Sequence, residues 1–158
     1  MTRLRLRAPL AVLVLLLLSA CAQPEPPAQE APSPAELEAL LEQQAQAIRE
    51  GDLATLDALW SSGEAVYIFE QGGVDSSWAA YRDHHLGPEL EALDDLDFRH
   101  EDVRIRTGQD LAVATGRYVL KARHEDRPVE SQGVFTTVLA REEGGWKIVH
   151  SHLSRRCR

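Results

Sequence analysis

The chain has 158 residues, with 17 Lys and Arg against 25 Asp and Glu, and a formal net charge of −8 with histidine neutral. Such a surface repels nucleic acid phosphates and anionic head groups, and no basic stripe offsets it, so the composition argues against nucleic-acid binding. The length suits one domain with a sizeable core.

The first 21 residues contain the parts of an export signal. Three arginines precede a mostly apolar run at residues 8–18, and the small residues Ser19 and Ala20 separate this run from Cys21. The run is shorter than the roughly 20 apolar residues that a membrane-spanning helix needs. A cysteine directly after small residues resembles the lipobox of bacterial lipoproteins.

The lipobox resemblance implies that the peptide is cut before Cys21, whose thiol takes a diacylglycerol and whose new amine is acylated by a chain such as palmitate. These lipid chains would attach the protein to a membrane of the cell envelope. In a two-membrane bacterium, Ala22 resembles the sorting pattern for the outer membrane, facing the periplasm. The alternative is ordinary secretion, with Cys21 as a bystander.

Cleavage before Cys21 divides the chain into four parts. Residues 22–32 include four prolines and no large apolar side chain, which predicts an extended tether. Cys157 would then be an odd thiol near the chain end, which indicates a tolerated free thiol, a reactive thiol or an intermolecular bridge. A Cys21–Cys157 disulfide would require that the lipobox interpretation be wrong. The predicted parts are a signal peptide at 1–20, a lipidated tether at 21–33, a folded domain at 34–155 and a tail at 156–158.

Two short helices open the folded part. Ser33 and Glu36 form a capping box, with Pro34 at the first helical position, and leucines follow at helical spacing. Gly51 is predicted to end this helix in a left-handed conformation, and Asp52 to cap the next helix. The two helices should therefore form a hairpin.

A short strand and a third helix come next. Residues 65–70 are rich in β-branched and aromatic side chains and predict a strand, which Gly72 and Gly73 end. The polar residues at 75–77 predict the cap of the third helix.

The third helix carries three candidate pocket residues on one face. Trp78, Tyr81 and His85 are spaced i, i+3 and i+7, so their side chains share one side of the helix. His84 points about 100° away and is predicted to be solvated.

Four long strands complete the prediction. The segments between them are short and turn-like, which indicates antiparallel neighbours joined by hairpins. The predicted strands lie at 97–106, 111–124, 127–141 and 146–154.

The order of these elements predicts an α+β domain in which a curved antiparallel sheet wraps around three N-terminal helices and leaves one end open as a pocket. This order, together with the ending Gly-Trp-Lys-Ile-Val-His-Ser-His at 145–152, resembles the nuclear transport factor 2-like (cystatin-like) superfamily, and within it the SnoaL-like and ketosteroid-isomerase-like branch. The resemblance implies a cone-shaped sheet whose mouth binds small molecules, often in a homodimer. Such folds host isomerases, dehydratases and non-catalytic binding proteins, so the fold alone does not decide the function.

Alternation along the last strand identifies two further candidates. Trp146, Ile148, His150 and His152 fall on one face, and because the first two look like core residues, both histidines are predicted to point into the cone. Arg117, on the second long strand, is the arginine best placed to bind a ligand carboxylate if its face is the inner one.

Tyr118 is on the other face of that strand, so it joins the pocket only if the Arg117 face is the outer one. The ligand-binding pocket is predicted to contain Trp78, Tyr81, His85, His150 and His152, together with Tyr118 under that condition.

Three functions fit these residues. The leading hypothesis is a binding module for a small-molecule ligand, which requires no cofactor. A second is a metal-binding protein that uses His85, His150 and His152, because three imidazoles suit zinc or copper.

The third hypothesis is a lyase or isomerase with a pocket histidine as general base. An isomerase in this fold would instead need a carboxylate base beside a hydroxyl donor. Glu70 or Asp83 could serve as that base, and Tyr81 or Tyr118 as the donor. No set of residues forces either reaction, so the sequence leaves open whether the protein is an enzyme.

Overall fold

The structure, a computed structural model, describes residues 32–155. The predicted signal peptide, Cys21 with most of the tether, and the tail with Cys157 lie outside the described residues. No helix in the described part is both long and apolar enough to cross a bilayer.

The N-terminal helices begin and end as the capping residues predict. The Ser33 hydroxyl accepts a hydrogen bond from the Glu36 backbone N–H, and the Glu36 carboxylate accepts one from the Ser33 N–H. Gly51 ends the first helix in the left-handed conformation at φ 66°. Asp52 then caps the second helix by accepting from the N–H of Thr55. These local predictions are confirmed.

Residues 32–155 form helices at the N-terminal end and six strands. The predicted third helix is continuous but contains a wider π-helical turn, and a short strand that the sequence did not indicate precedes it. The elements are α1 (Pro34–Glu50), α2 (Leu53–Leu59), β1 (Tyr67–Glu70), β2 (Gly73–Asp75), α3 (Trp78–Tyr81), the π-helical turn (Arg82–Leu86), α4 (Gly87–Ala92), β3 (Asp94–Thr107), β4 (Leu111–His124), β5 (Arg127–Glu142) and β6 (Gly145–Arg155).

The strands form one sheet in the order β2-β1-β6-β5-β4-β3. All neighbouring strands are antiparallel except β1 and β6, which run parallel, so the sheet is mixed. Helix α1 packs against β3, and its buried Leu37 and Leu41 join the core with the inward side chains of the sheet. The predicted α+β fold, with a curved sheet around three helices, is confirmed.

A bulge in β6 changes which side chains face the helices. Leu139 of β5 pairs with Ile148, but Val138 pairs with His150, so Val149 is an extra residue on β6. The alternation therefore shifts by one position after Ile148. Ile148 and Ser151 are both buried on the inner side, although strict alternation would put them on opposite faces.

This bulge makes the prediction for His150 and His152 wrong, because it turns both side chains to the outer face. The Nδ1 atom of His150 lies 2.7 Å from the carbonyl oxygen of Tyr67. The rings of His150 and His152 both meet the ring of Phe69 edge-on, at centroid distances of 5.1 and 6.0 Å. Neither histidine lines the interior of the cone.

Candidate functional site

A cavity of about 670 Å³ lies between the helices and the inner face of the sheet. This volume is within the range of pockets that hold drug-sized molecules, about 300–1,000 Å³. Much of the wall is apolar and aromatic, and includes Trp60, Ile68, Leu86, Phe98, Phe135 and Leu153. A wall of this kind suits the body of an organic molecule.

On one side of the cavity, the phenol of Tyr81 is hydrogen-bonded to the carboxylate of Glu70. The hydroxyl of Tyr81, on α3, donates a hydrogen bond of 2.7 Å to Oε2 of Glu70, at the end of β1. Burial, followed by the negative charge of Glu70, raises the pKa of Tyr81 well above its ordinary value. The phenol therefore keeps its proton and fixes the orientation of the Glu70 carboxylate.

His85 lies among three carboxylates on the same side. Its Nε2 atom is 3.7 Å from Oε2 of Glu70 and 3.5 Å from Oε1 of Glu89, and its Nδ1 atom is 3.7 Å from Oδ2 of Asp75. Burial, with the charge of Glu70 added, raises the pKa of Glu89, while His85 opposes that rise. An imidazole beside several carboxylates at the wall of a cavity can take a proton from a bound molecule or return one.

The π-helical turn positions His85. Its closing bond runs from the N–H of Gly87 to the carbonyl of Arg82, five residues back. A Cβ atom at Gly87 would lie 2.7 Å from that same carbonyl oxygen, so only glycine fits this wider turn. His84 is exposed, as predicted, but it also borders the cavity beside His85, which was not predicted. Turns of this kind occur often at functional sites.

A second polar region lines the cavity near α1 and β3. Oε1 of Gln44 and Nδ1 of His100 are both buried, and neither has a hydrogen-bond partner among residues 32–155. An unpartnered buried polar atom costs about 1–3 kcal/mol. The hydroxyls of Tyr118 and Ser131, by contrast, lie 3.2 Å apart and satisfy each other.

His100 is neutral at physiological pH. Burial lowers its pKa to about 4, and the charge of Arg49 acts in the same direction. The charge of Glu42 and a hydrogen bond to the carbonyl of Leu41 oppose that shift without cancelling it.

The structure brings three of the six predicted pocket residues to the cavity, namely Tyr81, His85 and Tyr118. Trp78 lies behind the wall. Its ring stacks on that of Trp60 at 4.9 Å, and its Nε1 donates to Asp57, so it supports a wall residue instead of touching the cavity.

The predicted metal ligands do not meet. His85 borders the cavity, whereas His150 and His152 lie on the outer face of β6. No group of three or more His, Cys, Asp or Glu within residues 32–155 has an arrangement that could hold a metal ion. The structure therefore does not bring the three predicted metal ligands, His85, His150 and His152, together.

Two other candidates lie away from the cavity. Arg117 is exposed on β4, and the residues Ala112, Ala114 and Tyr118 of the opposite face are buried. Asp83 is exposed and bonded to Arg82 at 2.7 Å.

The polar cavity residues that sequence reasoning missed include Gln44, Asp75, Glu89 and His100. Gln44 interrupts the apolar face of α1, seven residues after Leu37, which is a visible signal. Glu89 follows His85 by four residues on the same helical face. His100 and Asp75 gave weaker signals, because a bulge changes the alternation of β3 and the short β2 was not predicted.

The fold is that of nuclear transport factor 2-like proteins. One superfamily member, from Salmonella enterica serovar Typhimurium, has a TM-score of 0.72 at 18% identity over 78% of this chain and 91% of that chain. A candidate dehydratase of the same family from Streptomyces avermitilis has a TM-score of 0.70 at 20% identity over 78% and 96%.

A candidate ketosteroid isomerase from Shewanella frigidimarina has a TM-score of 0.64 at 26% identity over 73% of this chain and 92% of that chain. No curated protein matches the sequence significantly. The family model described as SnoaL-like domain matches residues 37–156, so the chain belongs to the SnoaL-like family.

Proposed function

We propose that the protein is a binding module for a small, largely apolar organic molecule. The observation that carries this proposal is the cavity of about 670 Å³, in whose wall aromatic and aliphatic side chains alternate with polar and charged ones. Burial of apolar ligand surface against such a wall supplies the affinity, and the polar groups select the ligand. Four carboxyl side chains and one arginine border the cavity, which favours a neutral ligand over an anion.

A charge placed in the apolar wall tests this proposal. Leu120 lines the cavity, and Val113 lies on the opposite face of the same strand. Leu120→Asp should weaken binding of the neutral probe 2-methoxynaphthalene at least tenfold. The new carboxylate would lose part of its hydration when the apolar probe binds beside it. The measurement is titration calorimetry on the mature chain without Cys21.

Val113→Asp is the matched control, since its new carboxylate faces solvent and should leave the dissociation constant unchanged. Absence of saturable binding by the unmodified chain would contradict the proposal, as would equal binding by the Leu120→Asp variant.

A second candidate function is proton transfer on a bound carbonyl compound, as in an isomerase or a lyase. The observation that favours it is the contact of His85 with three carboxylates, one of which is held by the Tyr81 hydroxyl. The likeness to a candidate ketosteroid isomerase at 26% identity supports the same class of reaction. Binding and catalysis differ in one observable, because binding alone leaves the α-protons of a ketone unexchanged.

We propose further that lipid on Cys21 holds the domain at the cell envelope. Two or three acyl chains bind a membrane firmly, at about 0.8 kcal/mol per buried methylene. In a bacterial host, the full-length protein should enter the detergent phase of a Triton X-114 partition, and Cys21→Ser should move it to the aqueous phase. Cys157→Ser, the matched cysteine control, should stay with detergent. Retention of Cys21→Ser in that phase would refute the anchor.

A further inference from the structure

The exposed apolar side chains of the domain share one surface. Within residues 32–155, the large apolar side chains that remain exposed all belong to the outer face of the sheet, on β1, β2, β4 and β5. They are Tyr67, Val74, Leu111, Val113 and Val134. Helix α1 and the hydrophobic core lie on the opposite face. Apolar side chains gathered on one surface indicate a contact site for another molecule.

This outer face is large enough for contact between two copies of the domain. Its four long strands contain 11 to 16 residues each. With strands about 4.8 Å apart and a rise of about 3.3 Å per residue, the six strands cover roughly 800 Å². A standard protein interface takes about 800 Å² from each partner. Arg104 and Arg106 lie on β3, at the edge of the sheet, where an interface has its polar rim.

His150 presents a lone pair on this outer face. Its Nδ1 atom lies 2.7 Å from the carbonyl oxygen of Tyr67. Because a carbonyl oxygen only accepts, Nδ1 of the neutral ring carries the proton and Nε2 carries the lone pair. Metal-ligating histidines are oriented in the same way, by donating from their second ring nitrogen to a carbonyl or a carboxylate. The backbone of β1 therefore holds His150 in the tautomer that binds a cation through Nε2.

His152 lies beside His150 on the same face. The two residues are two positions apart on β6, which separates them by roughly 6.5–7 Å along the strand. Both rings meet the ring of Phe69 edge-on. Their cross-strand neighbours carry no charge that would repel a cation; these neighbours are Tyr67, Phe69, Thr136 and Val138.

Two imidazoles alone do not complete a metal site. Structural Zn²⁺ sites have four ligands, and no group of three His, Cys, Asp or Glu within residues 32–155 could hold a metal ion. A second copy related by a two-fold axis would add the same two imidazoles. Strand β6 is third in the sheet order, with two strands on one side and three on the other. An axis that passes His150 and His152 therefore also superposes most of the two outer faces.

We propose that two copies of the domain join through their outer faces and hold one Zn²⁺ ion between them, with His150 and His152 of each copy as the four ligands. The ion and the apolar contact support each other, because one copy alone does not complete the site. His85, the third ligand that the sequence suggested, has no part in it. The cavity lies on the other side of the sheet, so this site is independent of the proposed ligand-binding function.

Zinc-dependent dimerisation tests the inference. The sample is the mature chain without Cys21, untagged and carrying Cys157→Ser, so that neither a tag nor the thiol binds zinc. In sedimentation equilibrium, Zn²⁺ should lower the dissociation constant of the dimer at least 100-fold relative to EDTA. Elemental analysis of the dimer should find one zinc per two chains. The double variant His150→Ala/His152→Ala should remove both effects.

The matched control is His84→Ala/His124→Ala. It removes two imidazoles from the cavity side of the domain and should keep the zinc-dependent dimer. If circular dichroism shows that His150→Ala/His152→Ala does not fold, His152→Ala alone decides. That variant keeps the bond between His150 and Tyr67, and it should still weaken the dimer in zinc at least tenfold.

Three results would overturn the inference. The first is an unmodified chain that stays monomeric in zinc. The second is a dimer that is equally stable in EDTA, which would show an interface without a metal ion. The third is a zinc-dependent dimer retained by His150→Ala/His152→Ala, since other side chains would then hold the ion.

Discussion

Between pH 7 and pH 4.5 the protein should lose about 2 kcal/mol more stability than its His100→Phe variant. The pKa of His100 is about 4 in the folded state, against about 6.5 in an unfolded chain. Below pH 6.5 the unfolded state therefore binds the proton first, and the free energy of unfolding falls as pH decreases. Each unit of difference between the folded and unfolded pKa corresponds to about 1.4 kcal/mol of stability. The contribution of His100 to the free energy of unfolding is fully present only above pH 6.5.

Urea unfolding at the two pH values measures this difference directly. The carboxylates and the other histidines titrate in both proteins, so the comparison isolates the ring of His100. The variant His152→Phe controls for removal of an imidazole, because that side chain is exposed on the outer face. Equal loss of stability in the unmodified and His100→Phe proteins would show that the ring is not buried in its neutral form.

If the cavity performs proton transfer, Glu70→Gln and His85→Gln should each slow exchange of the α-protons of 2-tetralone in D₂O by about 100-fold. General acid–base groups typically contribute that much or more. The glutamine side chains keep the size of the site but cannot take the proton. Proton NMR of the ketone follows the exchange. Absence of exchange by the unmodified protein above a buffer blank would eliminate catalysis on this ketone and leave the binding function.

Tyr81 should behave differently from the two residues that would meet the ligand. Its hydroxyl donates a hydrogen bond of 2.7 Å to Glu70, so its expected role is to position that carboxylate. Tyr81→Phe should lower kcat about tenfold and leave KM nearly unchanged. Asp83→Asn, on the exposed side of the same helix, is the control and should exchange at the normal rate. An Asp83→Asn defect as large as that of Glu70→Gln would place the base elsewhere.

Local signals in the sequence predicted the elements well. The capping box at Ser33, the left-handed Gly51 and the cap at Asp52 are short-range interactions that neighbouring residues decide. The order of elements and the closing motif then indicated the fold, because few arrangements bury helices against a sheet with these short connections.

The candidate site was harder to predict, because it depends on the face to which each strand residue points. A one-residue bulge reverses that face, as at Val149 for His150 and His152. In β3 the pairing shifts between Glu101 and Arg104, where Asp102 adopts φ 53°. In both strands the apolar residues switch from even to odd positions where the pairing shifts. A prediction based on strict alternation does not use this information.

The π-helical turn also bears on how this cavity arises and diverges among related proteins. A turn closed by a bond to the fifth residue back contains one more residue than an α-helical turn, which amounts to a single inserted codon. Loss of one residue between Arg82 and Leu86 would restore the narrower turn and rotate the two parts of the helix relative to each other by about 100°. The imidazole of His85 would then move away from Glu70 and Asp75, although the chain would still contain all of these residues. Relatives can therefore share these side chains in an alignment and still differ in whether the chemistry is assembled.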